Sequence, residues 1–235
     1  MSWDEPVLSR YFSDTYQEGR EKFLAACARA GLEVDTHTHP SVKGPRGEEL
    51  CMDTAWIGPA NAPRVLLMSC GTHGLEAAAG SACMLQWLDN DGPAEVPDGV
   101  AVLLVHAVNP YGWAWGQRGN EDGIDLNRNF MDTGVPLPSN PEYEDVHALL
   151  LKAEVTPEGL DAFAAAFRKL AAAKGMNYAL TGITSGQYVH PDGLSYGGQG
   201  PSWSRRTLNA ILTKALHRAD RGGLAEDGSS MRHLA

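Results

Sequence analysis

The sequence predicts an α/β fold, a mixed and partly parallel sheet flanked by helices. Three observations carry this prediction. "RVLLMSC" (64–70) and "VAVLLVHAV" (100–108) are continuous apolar runs, the pattern of strands buried on both faces. Between them "LEAAAGSACMLQWLDN" (75–90) reads as a helix, and strand–helix–strand is a crossover unit whose strands run parallel. Upstream, "LEVDTHTHP" (32–40) and "LCMDTAWIG" (50–58) flank a turn-rich stretch, the signature of a hairpin.

The remaining elements follow in order. Residues 14–30 carry apolar positions at helical spacing and stop at Gly31, a good residue just beyond a helix end. Residues 107–140 are rich in Gly, Asn, Asp and Pro and read as one long loop, a length that usually serves function. Helices are predicted at about 140–152 and at 157–174, the second opened by Thr156, Pro157 and Glu158. "SGQYVHPDGLSYGGQGPSW" is a second Gly-rich loop, followed by a helix over about 203–218. Residues 1–218 are expected to form one domain, and 219–235, without periodicity, an irregular tail.

Composition excludes some classes. A net charge of −10 with scattered acids lacks the clustered Lys and Arg that nucleic acid requires. No apolar run approaches a membrane span, and charge interrupts the N-terminal stretch every few residues. Cys27, Cys51, Cys70 and Cys83 show no paired spacing, so each is read as a small buried hydrophobe in a reducing compartment. Cytoplasmic location is the expectation.

Two segments carry chemistry. In "CGTHGLEAAAG" (70–80), His73 and Glu76 stand at i and i+3 where a strand ends and a helix begins. That spacing lets an imidazole and a carboxylate converge on one Zn²⁺ at the carboxyl end of a parallel strand. The competing reading is structural: Glu76 complements the helix dipole and His73 caps the turn. In "NPYGWAWGQRGNEDGIDLNRNF" (109–130), Arg118 and Arg128 offer rigid forks for a carboxylate or a developing oxyanion, and Asn127 an amide. Here the competing reading is a solvated loop with Asp125 pairing an arginine.

These motifs resemble the zinc carboxypeptidase superfamily, typified by carboxypeptidase A. The fuller match is to a bacterial branch of it labelled a domain of unknown function. The matching stretches are "SCGTHGLEAAAGSA", "NPYG", "DLNRNF" and "GQYVHPDGLSYGG", covering roughly residues 35–218. The resemblance implies that His73 and Glu76 are zinc ligands and that Arg118 polarises the scissile carbonyl and holds its oxyanion. It implies that Asn127 and Arg128 grip a free carboxylate. The implied substrate is a small peptide or an N-acyl amino acid with a free carboxylate, and the alternative is a non-catalytic remnant that binds carboxylates.

The family also uses a third ligand, a His in a "D-x-HTG"-like stretch after the helix placed here at 203–218, and a general-base Glu. This chain reads "ALHRADRGGLAEDGSSMRHLA" there, with no match to either. The expectation is a fold incomplete at the C-terminus, weak zinc binding and little turnover. His106 is read as a strand-end residue and His190 as a loop residue. His147, His217 and His233 are read as surface helix or tail. "VDTHTHP" resembles the His-x-His strand end of metal-dependent amidohydrolases, but their barrel needs more alternating strands and helices than this chain supplies.

Overall fold

The computed structural model describes residues 9–132 and 134–223. They fall into two compact units, one built from the chain up to Arg118 together with the segment from Trp203, the other from Gly119–Ser202.

In the first unit, α1 (Tyr16–Arg29) starts at Thr15, whose side chain accepts from the Glu18 amide. Strands β1 (Val34–Lys43) and β2 (Glu49–Ile57) form the predicted antiparallel hairpin. Strand β3 (Arg64–Ser69) leads through a 3₁₀ turn at Gly74–Glu76 into α2 (Ala77–Asp89), and β4 (Val100–His106) returns parallel to β3. The sheet is four-stranded, in the order β1-β2-β4-β3, with β2 and β4 antiparallel. It is therefore mixed and partly parallel, as predicted. Tyr16, Phe23 and Cys27 of α1, Leu50 of β2, Val102 and Leu104 of β4, and Met84 and Leu85 of α2 fill its core. Helix α3 (Pro110–Trp115) and the final helix, here α7 (Trp203–Gly223), complete the unit.

The second unit holds a 3₁₀ turn at Leu126–Arg128 and helices α4 (Tyr143–Leu150), α5 (Pro157–Lys174) and α6 (Met176–Thr184). Thr156 caps α5 through its hydroxyl, 3.0 Å from the Gly159 amide, with Pro157 at the first position, as predicted.

Four expectations are corrected. Strand β3 is not buried on both faces: Leu66 and Leu67, which point to opposite faces, are 53% and 40% exposed, and β3 is the edge strand of the sheet among the described residues. The 107–140 stretch is not all loop. Asn109 accepts from the Gly112 amide and Pro110 follows at the first helical position, which nucleates α3. Helix α6 was absent from the prediction because "NYALTGIT" mixes β-branched residues and Gly, and its apolar face emerges only against α4 and α5. Cys83 is exposed, whereas Cys27, Cys51 and Cys70 are buried as expected, and all four are free thiols. No helix among the described residues is long and apolar enough to cross a membrane. His233 lies outside the described residues.

His106 is fully buried, stacked on Phe23 at 4.5 Å, with Nε2 2.9 Å from the Ser81 hydroxyl. Burial holds its imidazole down to about 4, against an ordinary 6.5, with the nearby Asp53 charge opposing the shift. A folded value below the unfolded one means the folded state resists protonation. Its stabilisation is complete above the unfolded value and is lost as pH falls from 6.5 toward 4, by roughly 3 kcal/mol in all. Urea titrations at about pH 7 and about pH 4.5 should show an acid-lowered midpoint. The drop should be smaller in His106→Gln, and an equal drop in both proteins would refute the assignment.

Candidate functional site

Strand β3 ends at Ser69, and its ladder with β4 is continued by Cys70 and Gly71. The Cys70 amide donates to Val105 O at 3.1 Å, and the Val108 and Asn109 amides donate back to Cys70 and Gly71 carbonyls at 2.9 and 2.8 Å. This pinned segment delivers His73 in extended conformation directly before the 3₁₀ turn. Gly74 permits the approach of the next element, since a Cβ there would lie 1.9 Å from the Gly112 backbone of α3. Gly74→Ala should force the turn off α3 and cost about 1–3 kcal/mol. Thermal unfolding checks this, and an unchanged midpoint would contradict it.

His73 is buried, and its Nδ1 lies 2.7 Å from Glu76 Oε2. Arg118 Nη1 stands 3.8 Å from the other carboxylate oxygen, Oε1. Arg118 is positioned from behind by Asn109, fully buried, whose Nδ2 donates to the Arg118 carbonyl at 3.3 Å while its Oδ1 starts α3. The structure thus brings His73, Glu76 and Arg118 into one cluster of the first unit, at the carboxyl end of a parallel strand.

The His73 capping alternative does not describe this cluster, whereas Glu76 does stand in the first turn, where its charge complements the helix dipole. The side chain of His73 makes no capping bond to the turn, and that of Glu76 makes none to α2. The Glu76 and Arg118 side chains are 64% and 46% exposed, so their pairing contributes at most about 1 kcal/mol to stability. As a place for an ion, the His73 Nδ1 and Glu76 Oε2 atoms already converge. Two ligands of a tetrahedral Zn²⁺ sit about 3.3 Å apart, so a small opening of the 2.7 Å contact would admit one. Among the described residues no further His, Cys or carboxylate joins this pair to make a group of three.

Asn127 and Arg128 belong to the second unit. Asp125 Oδ1 accepts from the Asn127 amide at 2.9 Å and so starts the 3₁₀ turn, which leaves the Asn127 side chain exposed. The Arg128 guanidinium donates to Thr184 O at 2.7 Å and to Asn127 O at 3.1 Å, joining the turn to the end of α6. Gly186, at φ +83°, leaves room for its methylenes, as a Cβ there would come within 2.4 Å of Arg128 Cδ. Two of its donors therefore serve the fold of this unit.

Three buried amides and a histidine escaped the sequence reading. Asn109 carries a visible signal, an Asn before Pro at a helix start. Asn129, buried, donates to Gly197 O and Gly200 O at 2.8 and 2.9 Å, and Gln187 binds four backbone groups of its own loop. His147 is not surface helix but 8% exposed, packed against Tyr143 and His190. His217 is exposed, and His39 is buried against Trp203 at 4.6 Å. A cleft of about 920 Å³ in the first unit is lined by Asp35, His37, Trp56, Lys214 and Arg218, and includes none of His73, Glu76 or Arg118.

Together these features define an α/β protein with a His–Glu–Arg cluster at a strand end, a candidate metal half-site. The chain matches the family "Protein of unknown function (DUF2817)" over residues 12–224 and belongs to it. None of the curated proteins compared with the chain matches it. Among solved structures it is similar to a proposed metallopeptidase from Shewanella denitrificans, with 28% identity over 57% of this chain and 47% of that one, TM-score 0.39. It is also similar to bovine thrombin-activatable fibrinolysis inhibitor, in complex with tick carboxypeptidase inhibitor (13%; 88% and 57%; TM-score 0.47). A third likeness is to carboxypeptidase A from Helicoverpa armigera (17%; 54% and 36%; TM-score 0.38). The chain thus spans between 36% and 57% of the length of these structures.

Proposed function

We propose that the chain is a zinc-dependent, metallocarboxypeptidase-like hydrolase acting on an amide bond next to a free carboxylate. The observation that carries this is the convergence of His73 Nδ1 and Glu76 Oε2 at 2.7 Å, with Arg118 beside them, at the carboxyl end of a parallel strand. His73 and Glu76 would hold the metal. Zinc bound there would acidify a bound water and polarise the scissile carbonyl. Arg118 donates to the oxyanion as it develops, and its exposure leaves it reachable by substrate. For Asn127 and Arg128 the proposed grip on the substrate carboxylate rests on motif resemblance alone.

Two protein ligands hold zinc less firmly than the three of a typical catalytic site. Among the described residues no further carboxylate joins the pair as a general base, a contribution worth typically ~10²–10⁴-fold. Slow hydrolysis is therefore expected. The test assays C-terminal residue release from peptides and deacylation of N-acyl amino acids, each with and without chelator. Chelator-sensitive turnover supports the proposal, and the preferred substrate separates peptidase from deacylase. No zinc uptake and no turnover would overturn it in favour of a non-catalytic carboxylate binder, and turnover indifferent to chelator would overturn its zinc dependence.

A further inference from the structure

We propose that His147, His190 and Asp192 form a second divalent-cation site, suited to Zn²⁺, within the Gly119–Ser202 unit. One donor atom from each residue lies within 4.8 Å of the other two. His147 Nε2 and Asp192 Oδ1 are 3.9 Å apart, too far for a hydrogen bond but near the spacing of two ligands around one ion, about 3.3 Å. The proposal uses no residue of the His73 cluster and does not rest on its assignment.

Three further observations point the same way. His147 is 8% exposed, so an ion held by its Nε2, the nitrogen that faces Asp192, would be partly shielded from water and its attraction to the ligands strengthened. His190 is held ready from two sides. Glu144, one turn before His147 on α4, places Oε1 2.9 Å from His190 Nε2, the carboxylate support that metal-bound histidines use. Gln187, 2% exposed, accepts from the Val189 and His190 amides at 2.9 and 2.7 Å and donates to His190 O at 2.7 Å, which shapes the loop around the ring. Finally, among the described residues Glu144 and Asp192 form ion pairs only with histidines, so the cluster brings together two carboxylates whose charge a dication would offset.

The ligand chemistry selects the ion. Two imidazoles and one carboxylate match borderline Zn²⁺ better than hard Ca²⁺ or Mg²⁺, and three protein ligands leave a coordination position open to water or substrate. The His147 and His190 rings are stacked at 3.9 Å with 29° between planes. Stacked imidazoles aim their lone pairs side by side, so ion entry requires one ring to turn, exchanging stacking for coordination. Asp192, with a side chain 66% exposed, can follow.

The test uses the full chain stripped with chelator and titrated with Zn²⁺ alone, reading bound zinc by equilibrium dialysis and the zinc-induced change in Tm. Asp192→Asn is the principal variant, because its exposed side chain can change without disturbing the core. His190→Gln is the second, and His73→Ala the control. Wild type should bind zinc with a rise in Tm. Asp192→Asn and His190→Gln should each lose at least about tenfold in affinity for that ion, while His73→Ala retains it. Circular dichroism confirms that each variant is folded. Zinc uptake and Tm response unchanged in folded Asp192→Asn and His190→Gln would overturn the proposal, as would no zinc uptake by His73→Ala. A Tm lowered in the variants without zinc, and a zinc response equal to wild type, would make the stacked histidines a structural latch instead.

Discussion

His73→Ala is expected to abolish chelator-sensitive hydrolysis and to weaken zinc at its own cluster by more than the ~10–100-fold typical of losing a ligand's outer support. His73 is one of the two side chains proposed to hold the metal, so its loss leaves Glu76 as an exposed carboxylate without its imidazole partner. The fold should survive, because the side chain neither caps the 3₁₀ turn nor belongs to the apolar core. Zinc binding is best measured in a His190→Gln background, where the ion proposed for the second unit does not contribute. Arg118→Ala provides the complement: zinc uptake unchanged, but kcat/KM lower by about 10²–10³-fold, the usual cost of removing one oxyanion donor. If His73→Ala keeps wild-type turnover and zinc uptake, the cluster is not the hydrolytic centre.

Asp53→Ala is expected to destabilise the first unit strongly. The Asp53 side chain is completely buried on β2 and accepts from Arg20 Nε at 2.6 Å, Arg20 Nη2 at 3.1 Å and Thr36 Oγ1 at 2.6 Å. Removing it strands the Arg20 guanidinium, whose charged form Asp53 supports above all through this hydrogen bonding. Breaking one side of such a pair costs about 3–5 kcal/mol, toward the lower figure here because Arg20 retains some contact with water. Replacing both residues, as Arg20→Met with Asp53→Leu, should lose less than Asp53→Ala alone. Urea unfolding of the three proteins decides this. A double variant as unstable as the single one would show that the ion pair is not the source of the loss.

Much of the architecture was legible because it is local. The hairpin, the parallel β3–α2–β4 unit and the Thr156–Pro157 helix start all follow from periodicity and capping chemistry within a few residues. The failures share a cause. Leu66 and Leu67 read as buried because a strand's own residues do not state what covers its two faces. Helix α6 has weak intrinsic propensity and is made by packing, which no window over 176–184 contains. His147 read as surface because its shield, His190 and the loop curled by Gln187, arrives from some forty positions downstream.

By itself the sequence determined the class of fold, the strand end that carries His73 and Glu76, and the motifs that mark the family. Spacing of i and i+3 on one turn is enough to bring an imidazole and a carboxylate together, whatever the rest of the chain does. Only the tertiary structure decided that Arg118 stands beside Glu76, because its placement depends on Asn109 holding the far end of α3. Likewise, only folding joined Glu144 and His147 of α4 to His190 and Asp192 of the loop. Charge pairing and burial are properties of side chains meeting in space, and a linear pattern records neither of them.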